Sequence, residues 1–192
     1  MKLRARVPLA LAALLALAGC QITTFEQSPL AALPCDPAVA GEWHSVDDGP
    51  SGDGEMILRI SGDCQLSFEE RTAEGPRTGE STPLFLGEHA GQRYAWTDAG
   101  WLLRSLDEDH AVPAGDVHLV RFAIAGDRLA LWSTDDKPIA HAIIDGELSG
   151  EVIARDRRLF NRLVAKQPAE VLARPGFFDA EPATFRKMEP RP

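Results

Sequence analysis

The chain lacks the motifs from which an activity is most directly read. It contains no G-x-S-x-G, no H-E-x-x-H, no phosphate-cradling P-loop and no G-x-G-x-x-G. Its glycines fall instead at turn positions. Cationic charge is also scarce, with 20 Lys+Arg against 29 Asp+Glu. An acidic domain is repelled by nucleic acid and by anionic lipid head groups, so nucleic acid is excluded as a partner. The leading apolar run, Val7 to Ala18, is broken by Pro8 and falls short of the roughly 20 residues that a spanning helix needs. There is no C-x-x-C pair, no internal repeat and no low-complexity block. The histidines His44, His89, His110, His118 and His141 show neither the i, i+2 spacing of a strand metal site nor the i, i+4 spacing of a helical one. No cofactor is implied.

What is present begins with Lys2, Arg4 and Arg6, a cationic lead-in to that apolar run, which ends in Leu17-Ala18-Gly19-Cys20. The order is that of a secretory signal peptide over residues 1–19. "LAGC" resembles the lipobox of bacterial lipoproteins. In that family the cysteine receives diacylglycerol and, often, a further palmitate-type acyl chain, and becomes the new N-terminus. The resemblance implies lipidation at Cys20, a bacterial envelope location and anchoring through two or three chains, which is effectively permanent. Gln21 stands where an aspartate would favour inner-membrane retention, which points to the outer membrane, facing the periplasm. The alternative is an ordinary signal peptide whose cleavage site happens to precede Cys20. With Cys20 lipidated, Cys35 and Cys64 remain as an even pair on the oxidising side and are expected to form a disulfide; two free buried thiols are the alternative. Removing the signal leaves 17 cations against 29 anions, so the lipid alone is the expected membrane contact.

Residues 20–34 lack periodicity and read as a lipidated flexible tether, with a β-rich globular domain over 35–192. Within it "GEWHSVDD", "MILRI", "CQLSFEE", "TPLFLGE", "QRYAWT" and "WLLRSL" read as short strands, the last two joined by a turn at Asp98-Ala99-Gly100. In "VHLVRFAI", His118, Val120, Phe122 and Ile124 alternate with Val117, Leu119, Arg121 and Ala123. In "RLALWS", Leu129 and Leu131 alternate with Arg128, Ala130 and Trp132. The two predict an antiparallel hairpin around Gly126-Asp127. Ile139, Ala142 and Ile143 then take helical spacing, with Asp135 or Asp136 able to cap and Gly146 able to terminate. "RRLFNRLVA" is extended, "PAEVLA" is a second short helix, and "ATFRKM" is a last strand. The expected fold is mainly β: one small antiparallel barrel or curved sheet of seven to nine strands, with short helices near 136–145 and 168–174.

"GEW" is similar to the G-x-W signature of lipocalins and other calycin barrels. The resemblance implies that Trp43, after Gly41, packs under a cation from the last strand, at Arg186, in a cation–π contact. The order of the domain also resembles uncharacterised bacterial lipoproteins, which imply no activity.

The acidic run Asp107-Glu108-Asp109-His110 could offer a divalent cation the ligands Asp107, Asp109 and His110; a solvated acidic loop explains it more simply. His118 shares the phase of Val120 and Phe122 and reads as a satisfied core histidine. Glu69-Glu70 and Asp135-Asp136 are sequence neighbours, and on a strand neighbours face apart. Arg155-Asp156-Arg157-Arg158 is the one basic reversal, read as a solvated connection. Trp132, out of phase with Leu129 and Leu131, is either exposed, as an aromatic patch marking a binding face would be, or lines a second surface; ordinary core filling explains it more simply. The expected function is a lipid-anchored, non-enzymatic binding or structural module for an apolar small molecule or an envelope protein. The alternative is a lipoprotein hydrolase whose carboxylates and histidines are assembled by the fold.

Overall fold

In the computed structural model, residues 22–46, 55–72, 75–105, 112–155 and 158–188 are described. Residues 1–21, which hold the expected signal and Cys20, lie outside them, as does the 107–110 run.

The first described element is a strand, β1 (Ile22–Gln27), inside what reads from sequence as tether. Thr23 and Phe25 are fully buried, and Leu33 bridges to Leu86. The fold therefore includes residues ahead of Cys35, from at least Ile22 onward. Two buried threonines, Thr23 and Thr24, interrupt the apolar alternation that would have marked the strand.

The strands that follow are β2 (Gly41–Ser45), β3 (Glu55–Ile60), β4 (Gln65–Thr72), β5 (Gly75–Thr78), β6 (Thr82–Pro83), β7 (Phe85–His89) and β8 (Gln92–Asp98). After α1 (Ala99–Ser105) come β9 (Val117–Ala125), β10 (Arg128–Trp132), α2 (Asp136–Ile144), β11 (Gly150–Arg155), β12 (Arg158–Lys166), a 3-10 turn at Ala169–Ala173 and β13 (Ala183–Met188). The fold is mainly β, as expected, with the two predicted helical segments in place. Among the described residues thirteen strands lie in one sheet, more than the seven to nine expected. The two-residue β6 and four-residue β5 are too short to carry a hydrophobic period.

One path through the sheet runs β11-β12-β1-β9-β10-β13-β2-β3-β4-β5, with β8 pairing β9 and β7. Its ladders are antiparallel except β1–β12, which is parallel. The sheet curls without closing into a barrel. β6 pairs β4, and the Thr97 hydroxyl of β8 donates to the Pro83 carbonyl at 3.0 Å. A side-chain bond stands there in place of a backbone ladder.

Asp98-Ala99-Gly100 begins a helix rather than a hairpin turn. The Asp98 carboxylate accepts the Trp101 backbone N–H at 2.5 Å, which satisfies one of the four orphan donors at a helix start. Among the described residues no helix is long and apolar enough to cross a membrane.

Among the described residues two cores share β8 and β9. One holds Trp43, Ile60, Leu86, Ala95, Phe122, Leu129 and Phe185 on one face of the sheet. The other lies between the opposite face and α2 with the 3-10 turn, and includes Phe25, Tyr94, Trp96, Leu119, Ile139 and Phe178. The Cys35–Cys64 disulfide ties the chain before β2 to the β3–β4 turn, with Cα atoms 5.7 Å apart.

Candidate functional site

The β9–β10 hairpin forms with Arg121 opposite Trp132, and Arg121 is also opposite Tyr94 of β8. Directly paired residues share a face, so Tyr94, Arg121 and Trp132 make a row across three strands. The alternation read from sequence explains this: Arg121 is in phase with Leu119, and Trp132 is out of phase with Leu131. Both turn to the second core, and Trp132 packs partly buried at its edge.

Over this row lies Phe178. Its segment is pinned by a bridge to Thr134 and by backbone bonds from Asp135 N–H to Phe177 and from Asp179 N–H to Ser133. The Arg121 guanidinium sits 4.5 Å from the Trp132 ring centre and 5.3 Å from that of Phe178. Tyr94 packs against Phe178 at 5.8 Å, and burial raises its phenol pKa while the Arg121 charge works against the rise.

Beside the row opens a cavity of about 420 Å³. Gln92, Tyr94 and Arg121 line it from the strands, and Leu172, Arg174 and Phe178 from the other side. No carboxylate lines it among the described residues. The Arg121 side chain makes no hydrogen bond or ion pair within the described residues, and its Nε is buried without an acceptor. A neighbouring cavity of about 400 Å³, across Arg174-Pro175-Gly176, is lined by both signs of charge, including Lys137, Asp145 and Glu147. Arg174 stands between the two, ion-paired with Glu147.

The sequence-predicted residues fall elsewhere. Trp43 is fully buried and donates its indole N–H to the Val39 carbonyl at 2.9 Å. Its cation is Lys187, 5.0 Å from the ring centre, not Arg186. Trp43 stands opposite Lys187 in the β13–β2 register, whereas Arg186 is opposite His44 and turns outward toward Asp127. Gly41 makes room: a Cβ there would come 2.5 Å from Lys187 Cε.

His118 donates from Nδ1 to the Thr23 carbonyl at 3.2 Å, and burial holds its pKa below the usual value against that bond. The Thr23 hydroxyl donates to Asp136 at 2.5 Å, and Thr134 donates to the same carboxylate oxygen at 3.2 Å. Burial pushes the Asp136 carboxyl up to about 6 in spite of both bonds. Asp136 thus serves a buried network, and the expected side-chain cap of α2 is not made. Neither His118 nor Asp136 lines either cavity.

His44 lies between Glu42 and Glu55, at 2.7 and 2.6 Å, on the outer face of β2 and β3. Glu69 bonds Arg59 and Arg71 on the same face. Among the described residues no group of three His, Cys, Asp or Glu side chains is placed to hold a metal ion.

Arg121, Tyr94 and Phe178 were not singled out by sequence reasoning. Arg121 is the one Lys, Arg, Asp or Glu within β9, and Tyr94 is the chain's single tyrosine; those were the available signals. No family model, no curated protein and no solved structure matches this chain.

Proposed function

We propose that the chain is a lipid-anchored module of the bacterial envelope that binds a small molecule without transforming it. The observation that carries the binding role is the cavity over the Tyr94–Arg121–Trp132 row. Its volume of about 420 Å³ lies within the roughly 300–1,000 Å³ of small-molecule sites, and its walls are about evenly polar and apolar. The anchoring role rests on Leu17-Ala18-Gly19-Cys20 and on an acidic surface that adds no attraction for anionic head groups. The disulfide supports an oxidising compartment. A hydrolase would need titratable groups converging on a cavity, whereas His118 and Asp136 are both spent on Thr23.

Native mass spectrometry of the full-length protein extracted from its own envelope tests the binding role. A co-purifying species below about 500 Da that is lost on Phe178→Ala supports it. Protein that is ligand-free in every preparation speaks against it. Cys20→Ala should abolish lipid labelling and release the protein from membranes, and a variant that still fractionates with membrane would refute the anchor.

A further inference from the structure

We infer that the cavity beside Arg121 receives a small organic carboxylate with an apolar body, its anionic group meeting the Arg121 guanidinium. This rests on the reading of the chain as a binding module and names the ligand class of that same site.

Arg93 supplies the contrast within the fold. It too lies over an aromatic ring, 4.6 Å from the centre of Phe122, but it also pairs with Asp36. Arg162 has Asp116, and Arg59 has Glu42 and Glu69. In a chain with 29 acidic residues, Arg121 instead sits at a wall with no carboxylate, and its Nε is buried without an acceptor. An aromatic face offsets part of a cation's desolvation but accepts none of its in-plane N–H bonds. Nε is enclosed, but the residue as a whole is only part-buried, so the two Nη groups are what an acceptor in the cavity can meet. The guanidinium fork matches a carboxylate in plane.

The remaining walls narrow the class. Ala90, Leu172, Ala173, Pro175 and Phe178 give the ligand an apolar lining. The one other cation there, Arg174, is already engaged by Glu147. Gln92 and Tyr94 add neutral polar groups to the same walls, so among the described residues the site offers one uncommitted cation and fits one negative charge.

The test uses the full-length lipidated protein in detergent micelles, with binding read by calorimetry. The probes are 3-phenylpropionate, its neutral amide 3-phenylpropionamide, and phenyl phosphate. The carboxylate should bind about tenfold or more tightly than the amide, and phenyl phosphate should not exceed it. Arg121→Gln should erase the preference for acid over amide, and Arg121→Lys should restore part of it as a point charge without the fork. Equal binding of acid and amide to the unaltered protein overturns the carboxylate assignment and leaves the binding module standing. Tighter phenyl phosphate overturns it in favour of a phosphate. Failure of all three probes overturns it too, while a small molecule in the native mass spectrum would still uphold the module. If Arg121→Gln does not fold, the acid–amide comparison on the unaltered protein decides alone.

Discussion

Asp116 accepts two hydrogen bonds from Arg162, from Nε at 2.7 Å and from Nη2 at 2.9 Å, and is itself only 1% exposed. The pair joins the turn entering β9 to β12, where the parallel β1–β12 ladder meets the antiparallel sheet. Bonding and charge from Asp116 raise the Arg162 pKa further above its already high value, against burial.

Removing the cation alone should be expensive. Arg162→Met leaves the Asp116 carboxylate buried and unpaired, and the expected loss is about 3–5 kcal/mol. Asp116→Leu with Arg162→Met should recover much of it, because neither charge is then stranded. Urea denaturation of the single and double variants measures this, and a single-variant loss below about 1 kcal/mol would place the pair with exposed ion pairs instead.

The disulfide closes a loop with a sequence separation of 29. The chain-entropy relation assigns it about 3.6 kcal/mol. Cys35→Ala with Cys64→Ala should lower the urea midpoint by a corresponding amount, and adding a reductant to that variant should change nothing further.

Asp136 should make stability fall with pH in the acid range. Its carboxyl is raised from 3.8 to about 6 in the fold, so between those values the native state holds a proton that the unfolded chain has lost. Stability is then full below about pH 4 and declines toward pH 6, by at most about 3 kcal/mol for a shift of about two units. Asp136→Asn should flatten that window. His44 acts in a separate one. Burial lowers its pKa, but bonds to Glu42 and Glu55 outweigh this and raise it above 6.5. Its contribution is therefore full below 6.5 and lost as pH rises through the folded value. Denaturation midpoints across pH 3.5–8.5 for Asp136→Asn and His44→Gln separate the two; an unaltered slope between pH 4 and 6 in Asp136→Asn would refute the assignment.

Gly41 has φ +142° and leaves no space for a side chain under Lys187. Gly41→Ala should cost about 1–3 kcal/mol from the strained backbone and the displaced lysine. Lys187→Met, which keeps the aliphatic cover on Trp43 and loses only the cation, should cost about 0.5–1 kcal/mol. Thermal melts of the two variants should rank in that order.

The sequence by itself determined whatever depends on a period or a count. The alternation of Val117–Ile124 with Leu129–Trp132 sets a hairpin and turns Trp132 away from the Leu129 core, as observed. The spacing of Ile139, Ala142 and Ile143 sets α2, and two cysteines remaining after Cys20 set the pair that is found bonded. β1 escaped notice because its buried positions include threonines, whose hydroxyls are satisfied only once Asp136 and Asp116 come within reach across the fold. The choice of Lys187 over Arg186 belongs to strand register, since a shift of one residue exchanges the faces of a strand. The isolation of Arg121 belongs wholly to tertiary structure. An arginine reads the same in sequence whether or not an acid waits beside it, and only the packing of β8, β9, β10 and Phe178 leaves this one facing a cavity without a carboxylate.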